Sequence, residues 1–213
     1  MTTTLPADGR LARSARTRAA VIDALLGLHL DGDLSPTAGR VAQRAGVSLR
    51  TVYGHFDDLE SLYAEAGQRA MHRVRELAIA FTAGWSDDPG RLPLEKRARL
   101  FAEARAVALE WLRPISQAAT LREAISPQML RNRERFVALG DSEVRLLFAP
   151  ELAALDVAAA ERAVDALHVV AGGPAWDALR QDRGLEPEAA AALLADLVVA
   201  TTRTVFPVTA RHR

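Results

Sequence analysis

Four polar side chains within six residues of the sequence could make direct contacts with a nucleic acid. They are Arg50, Thr51, Tyr53 and His55, which supply a guanidinium, a hydroxyl, a phenol and an imidazole. A guanidinium can bind O6 and N7 of guanine in a bidentate way, and the other groups can bind phosphate oxygens or base edges. On the outer side of a short helix, these groups have the chemistry that reading the major groove of DNA requires.

The neighbouring residues predict that this segment is the second of two short helices joined by a glycine turn. Gly46 can adopt the left-handed conformation that ends the first helix without a Cβ penalty. Ser48 is a good N-cap for the second helix, because its hydroxyl can accept a free amide two or three residues later. The small or apolar residues that would fix the crossing of the two helices are Val41, Ala42, Val47, Val52 and Phe56.

Three runs in this stretch carry a family resemblance. Gly46-Val47-Ser48, Thr51-Val52-Tyr53 and His55-Phe56 together closely resemble the helix-turn-helix signature of the tetracycline-repressor (TetR) family. The alternative is a helical hairpin that merely packs. The resemblance implies an all-α fold of about nine helices, with an N-terminal three-helix helix-turn-helix DNA-binding domain and a C-terminal helical ligand-binding and dimerisation domain.

The resemblance also assigns DNA contacts residue by residue. Arg50 is the best candidate for a base-edge contact, and Thr51, Tyr53 and His55 resemble family positions that contact phosphate or, less often, bases. Ser48 is expected to be a cap rather than a reader, while Arg16 is either a phosphate contact or a surface charge. The full set of predicted DNA-binding residues is Thr37, Ser48, Leu49, Arg50, Thr51, Tyr53, His55 and Arg16.

Two departures from the family pattern affect this prediction. The family usually has a lysine shortly after the His-Phe pair, where this chain has Leu59 preceded by Asp57 and Asp58. Gly39 occupies a position where some relatives place a base-reading side chain. Fewer ionic contacts are therefore expected, with a shallower dependence of DNA affinity on salt.

The remainder of the chain is expected to hold a small-molecule cavity, because family members are usually released from DNA by a ligand. Large apolar side chains and one imidazole are the candidate lining residues, although large apolar side chains at helical spacing are more often ordinary core. The two tryptophans are favoured, since indole combines a large apolar face with one donor. The candidates are Trp111, Trp176, Phe101, Met129, Phe136, Phe148 and His168.

A homodimer formed through the last two long helices is a further implication of the resemblance. Both helices carry small or apolar residues that permit close helix approach, and the alternative is that these faces pack only within one subunit. A dimer would set two heads on a palindromic operator in double-stranded DNA, with half-sites ~34–36 Å apart. The residues concerned are Ala158, Ala159, Ala163, Ala166, Ala189, Ala192, Leu193, Leu197 and Val198.

Composition and charge are compatible with these expectations. The 213 residues are 49% hydrophobic and 25% charged, with net charge zero, yet residues 10–56 hold seven arginines against three aspartates and so carry +4. A basic head on an acidic body is expected when one domain meets phosphate. There is no cysteine, hence no disulfide or thiolate metal site. No apolar run approaches the ~20 residues that span a bilayer, so we expect no membrane contact and a cytoplasmic location.

Helical periodicity and helix-breaking residues give the expected order of elements. A polar tail (1–13) precedes a first helix at 14–30, and Ser35-Pro36 is expected to start the second. Asp57 or Asp58 caps a helix at 57–83 that links a head domain (1–56) to a body domain (57–213). After a break at 84–93, helices are expected at 94–113 (ended by Pro114), 115–125, 127–147, 156–183 (interrupted at 172–174) and 186–206.

Three functional hypotheses follow. The leading one is a ligand-responsive transcriptional regulator, most simply a repressor released from its operator by an unidentified small molecule. The second is a helical ligand-binding or interaction protein with weakened or lost DNA reading. The third is an all-α enzyme, supported by the trio Glu161, Asp165 and His168, which could hold a divalent ion. A structural or interface role for His168 is favoured instead. No enzymatic activity, metal site or cofactor is therefore expected.

Overall fold

The computed structural model describes residues 7–82 and 91–206. Within them the chain is helical, with ten α-helices, one π-helical turn and no β-strand. The helices are α1 Ala7–Leu30, α2 Ala38–Ala45, α3 Leu49–His55, α4 Leu59–Thr82, α5 Leu94–Glu123, α6 Pro127–Leu147, α7 Ala149–Leu152, α8 Val157–Val170, α9 Gly173–Asp177 and α10 Pro187–Val205; the π-turn, Ala178–Asp182, follows α9. The predicted all-α fold is confirmed.

The chain divides into two compact units. Unit 1 comprises residues 1–72 and 114–132, and unit 2 comprises residues 73–113 and 133–213. Helices α4, α5 and α6 each run from one unit into the other along the chain. Because the units interleave in sequence, they do not correspond to one cut in the chain, and the domain boundary at residue 56 stays a prediction.

Unit 1 is built around the first four helices. Helix α1 turns a stripe of apolar residues inward, and α2 and α3 pack on it and on each other. Val41 of α2, Val52 of α3 and Phe56 after α3 are buried as the sequence predicts, whereas Val47 in the turn is half-buried. Their burial fixes which sides of α2 and α3 remain outside.

Unit 2 has the larger hydrophobic core. Phe101 of α5 meets the ring of Phe148 edge-on, with centroids 5.7 Å apart, and Phe148 stacks on Phe206 at 5.8 Å. Trp176, Leu167 of α8 and Leu194 of α10 are buried in the same cluster. Helices α8 and α10 pack against each other, and Val157 and Val169 of α8 and Leu193 and Leu197 of α10 are exposed.

Several predicted helix boundaries are corrected by the structure. Helix α1 begins at Ala7 rather than near residue 14, so the second half of the supposed tail is helical. Helix α2 is not started by Ser35-Pro36: its N-cap is Thr37. Pro114 does not end a helix, because α5 continues through it to Glu123. Proline removes one amide donor and crowds the preceding turn, a local cost that a long, packed helix can bear. The break at 84–93 falls largely outside the described residues.

Other expected signals are confirmed at their residues. Ser126 Oγ accepts the Met129 amide at 3.2 Å, so Ser126-Pro127 does start α6. Asp156 Oδ1 accepts the Ala159 amide at 2.8 Å at the start of α8. Gly184, with φ of +64°, separates the π-turn from α10. Over the described ranges, none of the helices has the length and apolar character needed to cross a membrane.

Candidate functional site

The turn between α2 and α3 has the geometry that its glycine predicts. Gly46 has φ of +67°, in the left-handed region that a Cβ atom disfavours. Its amide donates to Gln43 O at 3.2 Å, and the Val47 amide donates to Ala42 O at 3.0 Å. This pair of bonds is a Schellman motif, which satisfies the last carbonyls of α2 and turns the chain sharply into α3.

The start of α3 is fixed by Ser48. Its hydroxyl accepts the Thr51 amide at 3.0 Å and lies 2.8 Å from the Thr51 hydroxyl. Ser48 is therefore a helix cap, as predicted. Thr51 is half-buried beside it, so its hydroxyl already has a partner within the chain.

The outer side of α3 presents the candidate base-reading groups. Leu49, Arg50 and Tyr53 are exposed, while Val52 on the opposite side is buried. In the part of the chain that the structure describes, no ion pair or hydrogen bond holds the Arg50 guanidinium. We call Leu49, Arg50 and Tyr53 the α3 face. It presents a guanidinium, a phenol and an apolar side chain to solvent from a capped helix.

The other predicted DNA-binding residues lie beside this face or further from it. Thr37 is exposed at the start of α2, where its hydroxyl accepts the Arg40 amide at 3.3 Å. Arg16 is exposed on α1, and His55 is half-buried at the last position of α3. The role of each in DNA binding stays a prediction.

Part of the positive charge of the head is neutralised within unit 1. Arg40 Nε lies 3.2 Å from Asp33 Oδ2, and Arg44 pairs with Asp31. Both acids after α3 are exposed, and Asp58 Oδ1 accepts the Ser61 amide at 2.7 Å and caps α4. The charge available to phosphate is thus smaller than the arginine count indicates.

Two ionisable rings lie beneath the head. His29 and Tyr63 are buried, with ring centroids 5.5 Å apart, and His29 Nδ1 lies 2.9 Å from Asp33 O. Burial lowers the pKa of His29 and raises the pKa of Tyr63, so both rings are held neutral. They act as core groups rather than as phosphate contacts.

Unit 2 contains a groove of about 490 Å³ between α5, α9 and α10. This volume is within the range of small-molecule sites in proteins. Trp111 and Trp176, the two favoured ligand candidates, both line it. The other lining residues are Ala106, Val107, Glu110, Pro187, Glu188 and Ala191.

A carboxylate is held at the wall of this groove. Glu110 Oε2 accepts the Trp176 indole N–H at 2.8 Å and Arg180 Nε at 3.0 Å, and Glu110 Oε1 accepts Arg180 Nη2 at 3.1 Å. Burial by itself raises the pKa of Glu110, but the bonds from Arg180 and Trp176 and the charge of Arg180 outweigh it and lower that pKa. Arg180 projects from the π-turn and also donates to Leu185 O.

The remaining ligand candidates do not line the groove. Phe101 and Phe148 are in the core of unit 2, Phe136 is half-buried on α6, and Met129 is buried in unit 1. His168 Nδ1 lies 2.8 Å from Asp141 Oδ1. Their assignment to a ligand stays a prediction.

The possible metal trio is divided among different partners. Glu161 pairs with Arg145 at 2.6 Å, and His168 faces Asp141 on α6 rather than Asp165. Within the described residues, no group of three or more histidine, cysteine or acidic residues could hold a metal ion.

Two interactions at these sites escaped the sequence reasoning. Arg18 of α1 reaches the end of α3, and Glu110 with Arg180 shapes the groove. Both pairings join residues far apart in the chain, at separations of 37 and 70 positions. The spacing of nearby residues does not indicate such pairs. The position of Arg18 on the otherwise apolar, inward side of α1 was the one sequence feature that could have indicated a partner within the chain.

Comparison with known proteins supports the helix-turn-helix interpretation. No family model matches the chain. Over 74 residues it is 31% identical to the HTH-type transcriptional regulator AcrR of Shigella flexneri. The match spans 34% of this chain and 34% of AcrR, about a third of each.

Solved structures match over nearly the whole chain. A protein from Mesorhizobium loti assigned to the TetR family has a TM-score of 0.66 at 18% identity, covering 90% of this chain and 98% of the other. NalD of Pseudomonas aeruginosa, the secondary repressor of the MexAB-OprM multidrug efflux pump, has a TM-score of 0.54 at 22% identity, covering 89% and 96%. At these identities the likeness concerns the fold, and it confirms the fold that the sequence resemblance implies.

Proposed function

From the TetR-family fold of this chain, we propose that it is a DNA-binding transcriptional regulator, a repressor that a small molecule releases from its operator. The observation that carries the proposal is the α3 face. An exposed guanidinium on a helix capped at both ends by the chain is suited to bidentate guanine recognition. AcrR is a transcriptional regulator and NalD a repressor, which supports the same function and sign of regulation here.

The test of DNA reading is fluorescence anisotropy on the DNA upstream of its own operon. Loss of one bidentate base contact costs about 1–3 kcal/mol, so Arg50→Ala should weaken binding about 5- to 150-fold. Arg131→Ala is a matched control, because Arg131 is an exposed arginine of unit 1 that pairs with Gln128 on α6. Equal affinity of Arg50→Ala and wild type would contradict base reading by α3.

We infer that the chain acts as a homodimer through α8 and α10. Ala163 and Val198 are buried within the subunit, but Val169 of α8 and Leu193 and Leu197 of α10 are exposed. Analytical ultracentrifugation should give a dimer that Leu193→Glu dissociates. Leu146→Glu, at an exposed leucine on α6, should leave the dimer intact.

The effector site of this proposal is the groove of unit 2. Its lining of two indoles, a proline, small aliphatic side chains and the carboxylates of Glu110 and Glu188 fits a small, largely apolar molecule. Linkage requires that such a molecule and DNA weaken each other's binding by the same factor. Nile red is a suitable neutral probe: Trp111→Ala should reduce its binding, whereas Leu121→Ala, at an exposed leucine of unit 1 that does not line the groove, should not.

A second candidate function is supported by Leu59 and by the ion pairs of Arg40 and Arg44, which leave few cations for phosphate. It is a helical ligand-binding module without sequence-selective DNA binding. Dye binding in the groove without a DNA shift at any salt concentration would favour it. In either case we propose a cytoplasmic protein without enzymatic activity.

A further inference from the structure

Helix α3 is too short to be stable without support at both ends. It has seven residues, and isolated helices below about 12–15 residues are marginal in water. Ser48 closes its N-terminus, but the last carbonyls of a helix have no partner within the helix. At the C-terminus the Phe56 amide donates to Val52 O at 3.0 Å, while the carbonyl of His55 needs a donor from elsewhere.

That donor is Arg18 of α1. Its Nη1 donates to His55 O, and the same guanidinium binds Glu65 of α4 through Nε at 2.9 Å and through Nη2. The guanidinium also lies 4.4 Å above the ring centroid of Phe56. One side chain therefore joins α1, the C-terminal end of α3 and α4, in the planar fork geometry that only arginine provides.

The hydrogen bonds that this guanidinium makes within the chain distinguish Arg18 from an arginine that is available to DNA. Arg18 and Glu65 have side chains that are 38% and 31% exposed, and Nε, Nη1 and Nη2 of Arg18 each donate to an atom of the chain. Arg50, by contrast, has no partner in the described part of the chain. A cation at a helix C-terminus is also favourable to the helix dipole.

We propose that Arg18 is a positioning residue for DNA reading, which caps α3 from a neighbouring helix and fixes it against α4 without touching DNA. The proposal rests on the proposed function for its consequence, while the cap itself can be tested without DNA. Loss of Arg18 should loosen the end of α3 selectively and misalign the α3 face.

Hydrogen exchange of the full-length, DNA-free protein tests the cap. In Arg18→Met, the amides of Val52 and Phe56 should exchange about ten- to hundredfold faster, the expected effect of losing a hydrogen bond to a charged group. The Val41 amide of α2 should be unchanged. Equal acceleration throughout unit 1, or no acceleration in α3, would overturn the proposal.

The matched control is the second ion pair between α1 and α4. Arg69 Nη2 lies 3.3 Å from Asp23 Oδ2, both side chains are about half exposed, and among the described residues neither bonds to α3. Arg69→Met should leave the exchange of α3 amides at the wild-type rate. If it accelerates them as Arg18→Met does, general coupling of α1 to α4 is responsible, and the proposal is wrong.

DNA affinity measured against salt concentration separates positioning from phosphate contact. Arg18→Met should bind about tenfold or more weakly at every salt concentration, with the wild-type slope of log K against log salt. Removing an arginine that contacts phosphate would instead reduce that slope by about one. A reduced slope would overturn the proposal. Failure of the wild-type protein to bind any DNA would refute the proposed function, and hydrogen exchange would still show whether Arg18 caps α3.

Glu65→Gln resolves the two halves of the contact. It removes the charge that orients Arg18 but leaves the guanidinium able to donate to His55 O. A smaller acceleration of exchange than in Arg18→Met is expected. An effect as large as that of Arg18→Met would mean that the pair with Glu65, not the cap on α3, holds the helix, and would contradict the capping role.

Discussion

The α3 face of unit 1 and the groove of unit 2 hold their functional side chains by different means. On α3, short-range contacts fix the backbone: a Schellman turn at Gly46 and a serine cap at Ser48, which leave Arg50 exposed. In the groove, long-range contacts fix the side chains, since Glu110 of α5 is bound by Trp176 of α9 and by Arg180 of the π-turn. A surface for a large, charged partner needs a stiff backbone and free side chains, whereas a small-molecule site needs side chains that are already fixed.

The two units also differ in how charge is used inside them. Unit 2 buries an arginine, Arg97, whose guanidinium binds Glu151 and the carbonyls of Leu92 and Leu147. In unit 1, the buried polar side chains include His29, which burial holds neutral. This contrast predicts that unit 2 is more sensitive to loss of a charge, and unit 1 to changes in the backbone.

The largest effect should come from Arg97→Met. The Arg97 side chain is 2% exposed, and its removal leaves Glu151 without its cation, a change that costs about 3–5 kcal/mol in buried pairs. Arg99→Met is the control, because Arg99 is 45% exposed and solvent screens its pairs with Glu95 and Asp196, which should contribute little to stability. Urea unfolding measures both changes; similar values would contradict the importance of the buried pair.

Effects of intermediate size and opposite sign on stability are expected when two glycines of the head are replaced by alanine. Gly46→Ala places a Cβ in a left-handed conformation and should destabilise unit 1 by about 1–2 kcal/mol. Gly54→Ala lies within α3, with no atom within 4 Å of the added Cβ, and should stabilise it by about 0.5–1 kcal/mol. Thermal unfolding compares them. A destabilising Gly54→Ala would show that α3 is not an ordinary helix at that position.

The contrast between local and long-range devices also explains what the sequence could predict. Gly46, Ser48 and Asp58 act within four residues of themselves, so their roles were readable from spacing alone. Arg18 and Glu110 act on partners 37 and 66 residues or more away, and no local pattern reveals such pairs. Pro114 was misread for a related reason: its cost within α5 is outweighed by tertiary packing, which the sequence does not display.

The predicted ligand residues follow the same division. Trp111 and Trp176 do meet at the groove, but Phe101, Phe148 and Met129 are buried elsewhere. Large apolar residues at helical spacing look the same whether they fill a core or line a groove. Only the packing of α5, α9 and α10 separates the two cases.

The smallest expected effect is a pH dependence of stability that differs between two glutamates of unit 2. The pKa of Glu110 is lowered from 4.5 in the folded state, so its contribution is present above that pH and is lost as pH falls through the lower, folded value. Burial raises the pKa of Glu143, so its contribution is present at low pH and is lost as pH rises above 4.5. Urea unfolding from about pH 3 to pH 7 measures both changes. For Glu110→Gln, the free energy of unfolding should fall less steeply at acid pH than in wild type. For Glu143→Gln, it should rise more steeply with pH above pH 4.5. Changes of the same sign in the two variants would mean that the contacts of Glu110 with Arg180 and Trp176 do not persist in solution, and that the groove lacks the fixed carboxylate that distinguishes it from the α3 face.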